Sequence, residues 1–221
     1  MADSRYGAPD DRDLATLRAS VTCEARNTYL AELFTRHQAR IYPLVDLRLD
    51  RRLRKRVSPS DVLQEAFLEA TNRVDAYVRN PALPPYLWIR RVIADTLYDI
   101  QRRHLGAKGR DARREARTGA GAAGPEAPSS VVAQWLAKSQ PSASDAAMAR
   151  ERKEWLEAAL ESMEPLDREI IVLRAIEMLS GSEAARVLGI DPAAARQRYV
   201  RALRKLKTVL ADGAEANEDG A

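Results

Sequence analysis

The chain has 221 residues, room for one domain or two small ones, and 45% hydrophobic, 31% charged and 5% aromatic side chains. That balance excludes a disordered chain and argues against a large β-sandwich or barrel. A single cysteine, Cys23, and two distant histidines, His37 and His104, exclude an internal disulfide, a cysteine-based zinc site and a histidine-rich metal centre. No metal and no cofactor is therefore expected.

The N-terminus is polar, so no secretory signal is read there, and no run approaches the roughly 18 apolar residues of a membrane span. A cytoplasmic protein without membrane contact is expected. The net charge is only +4, but its distribution is uneven. One basic cluster holds Arg48, Arg51, Arg52, Arg54, Lys55 and Arg56. A second runs from Arg102 to Arg117, and a third from Arg196 to Lys207 without an acid. Such blocks neutralise phosphates or form solvated helix faces; three in one short chain favour nucleic acid.

In chain order, residues 1–22 read as a loosely ordered extension. From Glu24, Leu30, Leu33, Phe34, His37, Ile41, Leu44 and Val45 recur at the spacing of one helix face. Ser58-Pro59-Ser60 marks a new start, with Ser58 or Ser60 as the cap. Val62, Leu63, Ala66, Phe67, Ala70, Val74 and Tyr77 form the next stripe. Asn80-Pro81 and Pro84-Pro85 interrupt it, and Leu87, Ile89, Val92, Ile93, Thr96, Leu97 and Ile100 form a third. Residues 118–130, TGAGAAGPEAPSS, read as a tether. A short apolar piece follows, Val131, Val132, Trp135 and Leu136, which fits a short helix. Helical patterning resumes at Ser144-Asp145 with Met148, Trp155, Leu156, Ala159, Leu160 and Met163, restarts at Glu164-Pro165, and continues through Ile170, Ile171, Leu173 and Ile176. No strand pattern and no repeat of 20–50 residues is found. The fold class is all-α: two small helical domains joined by a flexible linker.

Residues 178–207 carry the most specific signal. Ser180 caps a short helix with Ala184, Ala185, Val187 and Leu188, and Gly189 stands where the chain must turn. Asp191-Pro192 is a cap followed by proline in the first turn. The next helix buries Ala195, Tyr199, Ala202 and Leu206. It offers Ala194, Arg196, Gln197, Arg198, Arg201, Arg204 and Lys205 on its other face. Small residues for a close crossing, a glycine turn and a basic second helix make a helix-turn-helix. Arginine and glutamine reach base edges, and the remaining cations hold phosphates. With alanines at 193–195, readout leans on Arg196, Gln197 and Arg198, with DNA shape contributing.

The segment Ser60-Asp61-Val62-Leu63-Gln64-Glu65-Ala66-Phe67-Leu68 resembles the Asp-x-x-Gln-Glu-x-Phe segment of the ECF (extracytoplasmic function) sigma factors of bacterial RNA polymerase. Trp88 to Ala94, then Asp99 and Arg102-Arg103, is similar to that family's promoter-melting helix, and residues 165–207 to its fourth conserved region. Residues 49–53, 60–62 and 102–106 look like the planctomycete group. The resemblance implies a sigma factor with no chemistry of its own, which binds core polymerase, recognises −10 and −35 elements and assists melting. It implies an N-terminal extension at 1–23, region 2 at 24–106, a linker at 107–144, region 4 at 145–211 and an acidic tail at 212–221.

The resemblance further implies that Asp61, Gln64 and Glu65 contact the β′ clamp helices, while region 4 meets the β flap. The same three residues also suit a helix start decorated with acids. Tyr77, Asn80, Trp88, Arg90, Arg91, Arg102 and Arg103 are implied at the −10 element, where a loop captures an extruded base; core packing is an equal reading for Trp88. Asp95 departs from the asparagine usual in the family, and beside DNA it calls for pairing with Arg91 or Arg102. An anti-sigma factor is a further implied partner. Two other classes account for less of the sequence. A helix-turn-helix regulator acting without polymerase explains 165–207 but not Asp61-x-x-Gln64-Glu65 or the Trp88 helix. An enzyme lacks any nucleophile–base set, phosphate loop or metal-ligand spacing.

Overall fold

The computed structural model describes residues 10–20, 22–105, 124–138 and 146–218. Among them are helices and no strand, so the all-α expectation holds. The chain forms two compact units, Met1–Pro125 and Glu126–Ala221. The Arg110–Arg117 basic run, most of the expected tether and the Ser144-Asp145 cap lie outside the described residues.

Unit 1 contains α1 (Asp10–Ala19), α2 (Cys23–Arg36), α3 (Gln38–Arg48), α4 (Pro59–Arg79) and α5 (Pro85–Leu105). Ser58 is the cap that starts α4: its hydroxyl accepts from the Asp61 N–H, and Asp61 reaches back to the Ser58 N–H. This reciprocal box satisfies two donors that a helix start leaves open. The α4 stripe then buries Val62, Ala66, Ala70, Val74 and Tyr77 against α5, whose expected stripe from Leu87 to Ile100 is buried throughout. Each fully buried valine, leucine or isoleucine among them contributes about 1.5–3 kcal/mol.

Three expectations for unit 1 need correction. The extension is folded at 10–19: Leu17 of α1 is fully buried, and buried Asp13 accepts hydrogen bonds from Tyr29 Oη (2.6 Å) and Arg36 Nη1 (2.8 Å). Burial foremost, then Asp13, pushes the Tyr29 phenol pKa up. The stripe from Leu30 to Val45 is two helices rather than one, broken at His37, whose ring packs on Tyr86 of α5 at 4.7 Å. Within the expected linker, Gly124 (φ 92°) is buried, and a Cβ there would lie 3.3 Å from Ala94 and from Arg48. Arg48 Nη1 donates to the Pro125 carbonyl at 3.2 Å. A small residue free to take a left-handed φ and a buried guanidinium thus fold a segment whose composition reads as loose.

Unit 2 contains α6 (Ser129–Lys138), α7 (Ala146–Glu161), α8 (Pro165–Ile171), a π-helical turn (Val172–Ile176), α9 (Gly181–Leu188) and α10 (Pro192–Glu218). The apolar piece of the expected linker is α6, which packs on α7 and buries Val131, Val132 and Ala133. The core draws on Leu156, Leu160, Ile170, Ile171, Leu173, Ala184, Leu188, Ala195 and Ala202.

Candidate nucleic-acid and polymerase interfaces

In unit 2 the helix-turn-helix forms from local signals. Ser180 and Glu183 make a second capping box at the start of α9. Gly189 closes α9 in the left-handed region (φ 65°, ψ 31°), and the Ile190 N–H donates to the Ala185 carbonyl. This is the glycine-terminated helix end, where a Cβ would be strained. Asp191 Oδ1 then accepts from the N–H groups of Ala193 (2.7 Å) and Ala194 (3.3 Å), opening α10.

Along α10, Ala195, Ala202 and Leu206 face the core. Ala194, Arg196, Gln197, Arg201 and Arg204 are exposed, as the sequence predicts. Arg198 is different. Its Nη1 donates to Asp167 Oδ1 at 2.5 Å and approaches Glu164 at 3.4 Å, with 22% of the side chain exposed. Arg198 therefore fastens α10 to the start of α8, which corrects its placement on base edges. Lys205 is exposed, yet its Nζ donates to the Ser162 carbonyl at 2.7 Å, at the end of α7. Exposed Val200 and Leu203 add apolar surface beside the cations.

In unit 1 the predicted −10 residues divide. Tyr77 and Trp88 stack face to face at 4.3 Å and 13°. Tyr77 is on α4, not in the loop, which is confined to 80–84; its hydroxyl donates to the Leu83 carbonyl at 2.8 Å. Both rings, with Asn80, Arg91, Arg73 and Asp95, line a cavity of ≈ 300 Å³ completed by Ala82, Leu83 and Val92. Arg91 is exposed, whereas Arg90 is fully buried (0%) and cannot meet DNA, a correction. One residue of helical advance turns a side chain by about 100°, so of two consecutive arginines only one faces out. Arg102 pairs with Asp99 at 3.2 Å, and Arg103 with Glu65 of α4; both arginines remain exposed. Asp95 pairs with Arg73 at 3.4 Å. Arg73 is a cavity residue that the sequence reading missed; it faces a carboxylate 22 residues away on the next helix, which leaves no local signature.

The basic cluster at 48–56 also changes meaning. Arg48 is buried, Arg52 bonds Asp50, and Arg54 bonds Asp46. The Arg52 guanidinium holds the Asp50 carboxyl below the usual range.

The residues expected on polymerase share one side of α4. Asp61 is exposed and held in the capping box; the Ser58 N–H, then its hydroxyl, lower its pKa. A carboxylate stabilised this way supports the fold at neutral pH, and that support is lost as pH falls through its depressed pKa. Gln64 borders an open, mostly apolar groove of ≈ 570 Å³ between α2, α3 and α4, lined by Phe34, Ile41, Leu63, Phe67 and Leu68. Phe34 and Phe67 meet edge to face at 5.4 Å, and Leu68 is 61% exposed. Among the described residues no helix is long and apolar enough to cross a membrane, and no group of side chains could hold a metal ion.

Comparison with known proteins joins these features. Residues 153–206 match the family described as Sigma-70, region 4, the segment from α7 through the basic face of α10. The chain is 28% identical over 181 residues to the RNA polymerase sigma factor CarQ of Myxococcus xanthus, covering 82% of this chain and 88% of that protein. RNA polymerase sigma factors are not a class of enzymes. The fold is similar to that of CnrH, solved in complex with the cytosolic domain of CnrY, with a TM-score of 0.50 and 23% identity over 92% of this chain and 98% of that one. The matched region 4 and the sigma factor relative, which spans most of the chain, support an RNA polymerase sigma factor of the ECF type that acts in promoter-directed transcription initiation, and the likeness to CnrH is one of fold.

Proposed function

We propose that the two units divide the promoter between them. Unit 2 lays α10 in the major groove of the −35 element, with Arg196 and Gln197 at base edges and Arg201 and Arg204 on phosphates. The observation that carries this reading is the capped, glycine-turned α10 with these four side chains exposed and Arg198 turned inward to brace the helix. Unit 1 holds the non-template strand of the −10 element at the α4–α5 cavity. Arg91 meets a phosphate there, the arginines at 102–103, further along α5, meet phosphates of the same strand, and the Tyr77–Trp88 stack supports an extruded base.

Core polymerase is held on the α2–α4 groove. Its apolar floor suits the knobs of a partner helix, and Gln64 at its border, with Asp61 and Glu65 within a turn of it on α4, suits basic and polar groups flanking those knobs. The β′ clamp helices are the proposed occupant, with the β flap meeting unit 2. Two modest contacts on one polymerase reinforce each other through the shared chain. CnrH was solved with a partner domain bound, which supports an anti-sigma protein as a regulator here too. The chain acts by binding alone, in the cytoplasm, and the energy of melting comes from preferring single-stranded to paired −10 DNA.

Binding of the purified chain to core polymerase, followed by run-off transcription on a fragment library, tests this reading. Binding with initiation at fragments sharing two spaced motifs is the expected result. Duplex binding as a dimer, without polymerase binding, would instead establish a helix-turn-helix regulator.

A further inference from the structure

The α4–α5 cavity carries a feature that duplex or strand binding does not require. A carboxylate, Asp95, stands on its wall beside the Arg73 guanidinium, 3.4 Å away, across from the stacked Tyr77 and Trp88 rings. An anion placed where DNA must approach repels phosphate, so its presence needs a compensating role. The pair itself contributes little stability, since both side chains are more than a third exposed.

We propose that Asp95 and Arg73 form a base-selective element that admits an amino-bearing base and rejects thymine at one −10 position. This inference rests on the reading of the cavity as the seat of an extruded base. A carboxylate only accepts hydrogen bonds. Cytosine, adenine and guanine each present an exocyclic amine to it, and each also has an acceptor for the neighbouring guanidinium. Thymine has one Watson–Crick donor, its ring N–H, flanked by two carbonyl oxygens that would face the carboxylate. An acceptor that a seated base closes off from water and leaves facing an oxygen discriminates against that base. Arg73, itself held by Glu69 one turn earlier on α4, places its guanidinium beside the carboxylate and screens it from the approaching strand, while exposed Arg91 at the same cavity meets the phosphate.

The test uses the full chain with core polymerase. A promoter recovered by selection is randomised through its −10 element, and initiation is compared for the natural chain, Asp95→Asn and Arg73→Gln. Asparagine keeps the shape and adds a donor that thymine oxygens accept. The expected result is one position where thymine is disfavoured about tenfold by the natural chain and accepted by Asp95→Asn, with other positions and the −35 preference unchanged. Arg73→Gln is expected to weaken discrimination at that same position. If the natural chain initiates from promoters but no position distinguishes it from Asp95→Asn, the selective role is overturned and the promoter reading stands. If Asp95→Asn lowers initiation equally on every sequence, Asp95 only orders the loop, and the inference fails. If the natural chain gives no −10-dependent initiation, the cavity reading itself fails, and this inference with it.

Discussion

The two units handle their arginines in opposite ways. In unit 2 the basic helix α10 is seated by local devices, and most of its cations stay on the surface; Arg198, turned inward to Asp167, braces it, and exposed Lys205 adds a bond to the Ser162 carbonyl. In unit 1 Arg40, Arg48 and Arg90 are buried, with the Arg40 guanidinium 3.7 Å over the Tyr86 ring. A run of arginines therefore stays on the surface in one unit and is partly a framework in the other. Charge density along the chain does not separate the two, because a long amphipathic side chain can bury its stem and spend its head on internal acceptors.

The largest effect that would break this comparison is at adjacent positions on α5. Arg90→Ala removes a fully buried cation and strands the groups around it, so a loss of about 3–5 kcal/mol is expected in urea unfolding. Arg91→Ala, on the exposed side, should stay within about 0.5 kcal/mol while weakening binding of −10 single strand. Equal stabilities for the two variants would erase the distinction between framework and interface.

Next in size is Arg198→Ala. Loss of its bonds to Asp167 and Glu164 is expected to cost about 1–3 kcal/mol and to weaken −35 binding alike for every sequence. A variant that folds as well as the natural chain but changes base preference would return Arg198 to the DNA face. The capping serines offer a control common to both units. Ser58→Ala and Ser180→Ala each remove one side of a capping box and should each lower stability by about 1 kcal/mol, read from thermal melts. The smallest stability effect is expected at Arg201 or Arg204. Replacing either with alanine should leave unfolding unchanged within about 0.5 kcal/mol, yet reduce the salt dependence of duplex binding by about one unit of slope.

These differences follow from how far a residue's partners lie along the chain. The turn at Gly189, the caps at Ser180 and Asp191, a cap at Ser58 or Ser60 that the structure assigns to Ser58, and the stripes of α4 and α5 rest on spacing within one or two turns, and were legible before any coordinates. The open face of α10 was legible for the same reason: a helix with one buried stripe leaves the opposite face to solvent. Arg198 was misassigned because its partner Asp167 lies 31 residues earlier. The apolar groove escaped notice because Phe34 and Phe67 come from different helices, each reading as an ordinary core residue on its own.

What the amino-acid sequence determined by itself is the all-α class, the starts of α4, α9 and α10, the helix-turn-helix and its basic face, because capping, turn formation and 3.6-residue periodicity act locally. Only the tertiary structure decided that α1 and α6 are folded parts of their units, that Arg90 turns inward beside an outward Arg91, and that Arg73 meets Asp95 in a base-sized cavity. Each of these depends on which helix faces cross, and that is set by the summed burial of many side chains rather than by any one motif.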